Sequence, residues 1–363
     1  MINFFQINLI FPPLITAFLI TLITTPIALI FIKKFGLFDD PKTHKHPAII
    51  HKIPVPRGGG IPLFIGIAIA CILFLPMTKI TIALLIASLL ALVTGVLDDK
   101  LDLSPYLRFF INIICGLIIV GSGISIPFIT SPFGGILHLD ALRISFSFFG
   151  NHSVFVFSDL IALIWIVWIM NMLNWSKGVD GQMPGIVAIS AIVIGFLSLR
   201  FPLSDSATLI SVKLSFIIAG SALGFLIFNF YPAKIFPGYG ATAVYLLLGA
   251  VSILSGAKLA TAILVMGIPM IDGVFTIIRR IADKKSPFKH DNKHLHHMLL
   301  KLGLGQRSIA LIYWIFSVIL GTISLTLSST GKLFAIIMLA VITVGILLSL
   351  HFFLEHKNEK QFI

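Results

Sequence analysis

Charge is what this sequence lacks most. Asp, Glu, Lys and Arg together make up 11% of its 363 residues, against about a quarter in an ordinary soluble domain. With 58% apolar residues and a mean hydropathy of +1.07, a solvated globular fold is excluded. Cysteine is nearly absent. Cys71 and Cys115 both fall inside apolar runs, where a thiol is inert packing, so neither a disulfide nor a cysteine metal site is expected. Internal repeats, low-complexity tracts and a soluble domain are missing too, and residues 1–363 read as one integral membrane unit. The missing repeat counts against a transporter, whose halves commonly mirror each other.

What is present is a series of apolar runs of about 16 to 24 residues, the length a helix needs to cross a bilayer. They centre near residues 20, 69, 89, 117, 165, 191, 219, 248, 266, 318 and 343. The expectation is an all-α polytopic membrane protein of about eleven transmembrane helices. The first run, about Leu9 to Ile32, ends in Lys33-Lys34 without a small-residue cleavage site and reads as a span. With the N-terminus outside and the C-terminus cytoplasmic, 20 of the 26 Lys and Arg lie on the cytoplasmic side, as the positive-inside rule asks. The net charge of +12 follows from that topology and from anionic lipid and substrate at that face, without nucleic acid.

The polar interruptions carry the chemistry. Asp98 and Asp99 stand between two spans, where a carboxylate must sit at a membrane face or line a wet cavity. Adjacent carboxylates either raise one pKa or share a cation; an acidic hairpin without function is the alternative. The loop from Asp39 through His44, Lys45, His46 and His51 to Arg57-Gly58-Gly59-Gly60 reads as a phosphate cradle with glycine N–H groups facing a ligand, or as a solvated basic loop. Alternation at Ile136-Leu137-His138-Leu139-Asp140 predicts a short outer hairpin. Asn171 and Asn174, three apart at a helix end, can aim both amides at the turn holding Lys177 and Asp180, and together these oxygens suit a hard cation. Gly267-Ile268-Pro269 ahead of Asp272 predicts a kinked span with a carboxylate facing a cavity. The run from His290 through His294, His296 and His297 could take zinc. The surrounding lysines would repel a cation, and the same histidines, with Arg279 and Arg280 nearby, suit the oxygens of a diphosphate better.

Taken in order, these stretches resemble the polyprenyl-phosphate N-acetylhexosamine-1-phosphate transferase family, glycosyltransferase family 4. The matching pieces are His51 through Arg57 with its glycines, Leu97-Asp98-Asp99, Asn171 to Asn174, Gly178-Val179-Asp180-Gly181, Gly267 to Asp272, Arg279-Arg280 and His294-Leu295-His296-His297. The resemblance implies an active site at the cytoplasmic face and transfer of a sugar-1-phosphate from a UDP-sugar to polyprenyl phosphate, with UMP released. The His-Leu-His-His form is similar to the GlcNAc-1-phosphate branch. It further implies Asp98, Asp99 and Asp180 as catalytic residues. Arg57, Asn171, Lys177, Asp272, Arg279, Arg280, His294, His296 and His297 are implied as substrate-binding, and Asn174 with Asp98 and Asp99 as ligands of Mg²⁺ or Mn²⁺. The implied partners are the UDP-sugar, polyprenyl phosphate and membrane lipids in the inner membrane, with a homodimer left open. Two positions depart from the family's pattern: Lys177 stands where many relatives have Asp, and Tyr239 where a metal-binding Asp is usual. Either the metal is held by Asp98, Asp99, Asn174 and Asp180, or an ammonium does part of its work, or catalysis has been lost. A degenerate scaffold and a lipid-linked sugar transporter are the other readings.

Overall fold

The computed structural model describes residues 4–42, 51–131, 134–147, 151–254, 259–287 and 291–359. His44, Lys45, His46 and His290 lie outside them. The described chain is helical apart from three two-stranded ribbons. Its helices are α1 (Phe4–Lys34), α2 (Gly60–Phe74), α3 (Lys79–Leu101), α4 (Pro105–Gly121), α5 (Val156–Trp175), α6 (Gln182–Ser198) and α7 (Ser206–Asn229). A 3-10 turn at Tyr239–Ala241 then leads into α8 (Thr242–Ile253), followed by α9 (Leu259–Val265), α10 (Gly267–Ala282), α11 (Leu295–Lys301), α12 (Gln306–Thr326) and α13 (Ser329–Glu359).

Ten of the expected apolar segments fall on single helices, and the one centred near 266 falls on the bent pair α9 and α10. Six of them, α1, α3, α5, α7, α12 and α13, are long and apolar enough to cross a membrane by length and composition, or seven if α9 and α10 form one bent span. Four others, α2, α4, α6 and the turn with α8, are apolar but shorter. The protein is a multi-pass membrane protein. Its surface agrees, since large apolar side chains such as Phe31, Ile72, Phe110, Phe334 and Phe352 are exposed along the helices, a pattern that water would not tolerate and lipid requires.

α7 is the most enclosed of the long helices and α13 the least. Small residues bring α7 close to its neighbours: a side chain at Gly220 or Gly224 would strike the backbone of α1 at Leu14 or Phe18. Polar bonds link three helices there, with Thr21 Oγ1 donating to Ser221 Oγ at 2.9 Å and Ser221 Oγ to the Leu63 carbonyl at 2.9 Å. Close approach and buried hydroxyl pairs are how helices associate where lipid removes the hydrophobic drive.

The expected kink lies between α9 and α10, which meet at Met266 with a bend of 85°. Pro269 has no N–H to offer the preceding turn and is tolerated in the first turn of a new helix. The alternating stretch forms a hairpin, β3 (Phe128–Thr130) against β4 (Ile136–His138), and β5 (Arg143–Ser147) pairs with β6 (Asn151–Phe155). The third ribbon joins β1 (Phe38–Asp39) to β2 (Val55–Pro56) and leads straight into Arg57. α1, α3, α5 and α7 end, and α2, α4, α6, α8 and α12 begin, around one cluster of polar residues.

Candidate active site

The acid pair sits in the last turn of α3, with Asp98 2% and Asp99 7% exposed. The chain reverses at Asp102, whose φ of 47° is left-handed. Ser104 then caps α4 and Pro105 opens it, both favoured at a helix start. This hairpin places Arg108, one turn into α4, against Asp98. Its Nη1 lies 3.2 and 3.1 Å from the two carboxylate oxygens, and Leu103 N–H donates to Oδ1 at 3.1 Å. The partner of Asp99 comes from just after β2: Arg57 Nε is 2.7 Å from Asp99 Oδ1, which also accepts the Tyr239 N–H at 2.8 Å. Asp99 Oδ2 is buried without a hydrogen-bond partner.

The turn before α8 is pressed onto this pair. A side chain at Gly60 or Gly95 would collide with the backbone of Gly240, and one at Gly238 with Asp99 Oδ2. Gly238 also has φ 67° and ψ −173°, a region essentially reserved for glycine. Lys177 donates from Nζ to the Gly238 carbonyl at 3.0 Å. Burial lowers its pKa to about 8, helped by Arg57 and opposed by Asp99 and Asp98. The ring of Tyr239 has Arg108 at 5.2 Å and Lys177 at 5.9 Å from its centroid, and Asn112 Nδ2 donates to its hydroxyl at 3.1 Å.

The glycines of the Arg57 loop correct one expectation. Their N–H groups do not face a ligand: Gly58 and Gly59 donate to the Phe236 carbonyl and Gly60 to that of Pro237. Their role is to let α2 approach the turn before α8. The two asparagines also part company. Asn171 Nδ2 bonds back to Val167 O of its own helix at 2.8 Å, whereas Asn174 Oδ1 is buried without a partner. Asp180 accepts the Ala233 N–H at 2.9 Å while its own N–H donates to Gln306. Burial raises the pKa of Asp180, against that hydrogen bond and nearby His51.

The histidines form the second half of the site. His294 Nδ1 is 2.8 Å from Asp272 Oδ2, and Asp272 Oδ1 accepts the Leu295 N–H, so the carboxylate of the kinked span starts α11. His294 and His296 stack with centroids 5.6 Å apart, and His297 lies 4.3 Å from His296. All three are buried. Burial, reinforced by His297 and then His294, lowers His296 strongly, and burial with His294 lowers His297 to about 4, so both are neutral near pH 7. Their hydrogen bonds to a phosphate would then be of the neutral kind. Arg279 and Arg280 both hold Asp291 Oδ2 at 2.9 Å, and they bond the carbonyls of Lys293 and Pro287. In this arrangement they brace the histidine loop. The two halves meet where His296 packs against Gly178 and His294 lies 6.2 Å from Trp175.

Most of the donors expected for a divalent cation are already engaged. Both oxygens of Asp98 and one of Asp99 already accept from arginine or backbone. Asp99 Oδ2 and Asn174 Oδ1 are the orphaned acceptors here, and the phenol of Tyr239 is a poor hard-cation ligand. Among the described residues no three His, Cys, Asp or Glu are grouped to hold a metal ion. Arg108, Asn112 and Gln306 were not singled out from the sequence as site residues. Arg108 gave one signal, a buried-span cation one helix turn after a Ser-Pro start.

Residues 81–256 match the family model described as glycosyl transferase family 4. The chain is 28% identical to a probable undecaprenyl-phosphate N-acetylglucosaminyl 1-phosphate transferase of Bacillus subtilis, over 87% of this chain and 85% of that protein. It is 29% identical to a decaprenyl-phosphate N-acetylglucosaminephosphotransferase of Mycolicibacterium smegmatis, over 93% and 86%. With an undecaprenyl-phosphate alpha-N-acetylglucosaminyl 1-phosphate transferase of Thermotoga maritima it shares 27% over 94% and 97%.

Proposed function

We propose, for a chain that belongs to glycosyl transferase family 4, that it transfers GlcNAc-1-phosphate, or a related HexNAc-1-phosphate, from a UDP-sugar to polyprenyl phosphate. The observation that carries this reading is the joining of a buried acid pair, three cations and a histidine cluster at one end of a lipid-facing bundle. A phosphate oxygen of the lipid attacks the sugar-bearing phosphorus of the UDP-sugar. One phosphorus–oxygen bond forms, the bond to UMP breaks, and UMP leaves as an anion. One carboxylate of the Asp98–Asp99 pair takes any proton that the attacking phosphate still carries. Arg57, Arg108 and Lys177 hold negative charge, while His296 and His297 donate neutral hydrogen bonds to the diphosphate.

The acceptor's tail has a route to this centre. Leu97, Leu101, Tyr106 and Phe110 are exposed on α3 and α4 beside the acids and Arg108, so a lipid can lie on them with its phosphate turned inward. In the same reading the short helices bring the crossings to about eleven, and the site faces the cytoplasm from the inner membrane.

Incubation of purified protein with radiolabelled UDP-GlcNAc and polyprenyl phosphate tests the proposal. Label should enter the lipid phase with release of UMP, and Asp98→Asn or Asp99→Asn should each cost about two orders of magnitude or more. No label from any UDP-sugar would end the transferase reading. A catalytically degenerate scaffold would replace it, a second reading favoured by the ion pairs that already occupy Asp98 and Asp99.

A further inference from the structure

What neutralises the phosphates in this site is a question that rests on the transferase reading and goes beyond it. Asp98 and Asp99 are buried together, and three cations close on them: Arg108 on Asp98, Arg57 on Asp99, and Lys177 on the Gly238 turn that covers Asp99 Oδ2. Asp39 and Asp102 act on Arg57 only from a half-buried and an exposed position. The three cations and two carboxylates of the inner cluster sum to one positive charge, with Asp39 adding a partly screened negative charge beside Arg57. A dication entering it would be repelled by all three groups, and burial strengthens that repulsion; a phosphate would be attracted for the same reason.

The hydrogen-bonding inventory points the same way. An ammonium has three protons to donate, and that of Lys177 makes one bond, to the Gly238 carbonyl. Tyr239 turns an aromatic face toward both Arg108 and Lys177 and takes its hydroxyl's donor from Asn112. An aromatic face steadies a cation in place, and a phenol contributes no negative charge to a metal at neutral pH.

We propose that Arg57, Arg108 and Lys177 are the built-in cations of this site, and that it binds a nucleoside diphosphate without a divalent metal ion. Lys177 meets the phosphate oxygens, and Tyr239 holds two of the three cations where they are. Positions 177 and 239 act together, since the Tyr239 ring lies within cation–π reach of both Arg108 and Lys177.

Calorimetric binding of UDP to the purified full-length protein, in chelator and then in excess Mg²⁺, tests this, with Mn²⁺ paramagnetic resonance as a second readout. Affinity should agree within about threefold between the two conditions, and the wild type should show no stoichiometric Mn²⁺, as expected for fixed cations. Lys177→Met should weaken UDP by about tenfold or more, the loss of one charge-assisted contact, and Lys177→Arg should keep most of it. Lys177→Asp together with Tyr239→Asp should make UDP binding depend on Mg²⁺ and add a bound Mn²⁺. Wild-type affinity that vanishes in chelator, or one Mn²⁺ bound per wild-type chain, overturns the inference and leaves the transferase reading standing. Failure to bind UDP in both conditions removes the transferase reading and this inference with it.

Discussion

Gly238→Ala is the sharpest structural test of the site, because one methyl group would meet two separate obstacles. The backbone there has φ 67° and ψ −173°, and holding a residue with a side chain in such a region costs about 1 to 3 kcal/mol. The added carbon would also overlap Asp99 Oδ2. To clear it, the carboxylate must swing away from Arg57 at 2.7 Å and from the Tyr239 N–H at 2.8 Å, and hydrogen bonds to charged groups contribute about 1.5 to 3 kcal/mol each. The combined loss should reach about 2.5 to 6 kcal/mol if one contact breaks. Gly303→Ala is the comparison. It too has a positive φ, 93°, but nothing lies within 4 Å of an added side chain, so backbone strain of about 1 kcal/mol is all it should cost. Thermal unfolding in detergent, read by intrinsic fluorescence, should show a clearly larger fall in Tm for Gly238→Ala, and its transferase activity should drop while that of Gly303→Ala stays near wild type. Equal falls in Tm, with activity retained in both, would show that the turn before α8 is not seated on Asp99 as described.

Two further outcomes follow from the histidine half. Asp291→Asn should free Arg279 and Arg280 from the carboxylate they share at 2.9 Å, removing charge-assisted bonds of about 1.5 to 3 kcal/mol; hydrogen exchange across residues 291–301 should quicken while α3 and α7 are unchanged, and uniform exchange would refute the bracing role. His297 is held down to about 4 from 6.5 by burial and then by His294, so the unfolded chain takes up a proton that the folded chain refuses. Stability present above about pH 6.5 is therefore lost as pH falls toward about 4, by up to about 3 kcal/mol. His297→Asn should flatten that part of the Tm against pH curve, and an unchanged curve would show that this ring is already charged or exposed.

Where the helices lie, where one of them breaks and which polar residues had to matter can be read from the residues alone. Lipid makes this legible: a chain crossing it must satisfy its backbone within each segment, so apolar length maps onto helix without help from distant residues. Hence the helices at every apolar run, the bend at Met266 beside Pro269, and the hairpin at Ile136. The same scarcity of charge marked Asp98, Asp99, Asp180 and Asp272, since few acids are placed in hydrocarbon without reason.

Partner choice was decided only by the tertiary structure. Arg108 closes on Asp98 because the α3–α4 hairpin turns at Asp102, and the Gly58 to Gly60 amides face Phe236 and Pro237 because α2 packs on the turn before α8. Asn171 bonds back to its own helix while Asn174 keeps an unpaired oxygen, although the two lie three residues apart. Arg279 and Arg280 are taken by Asp291, and His296 and His297 are buried deeply enough to stay neutral. Each of these is a competition between groups far apart in the chain, settled by a distance of a few ångströms and by how much water is left. Residue types name the competitors, and only the packed fold brings them close enough for one to win.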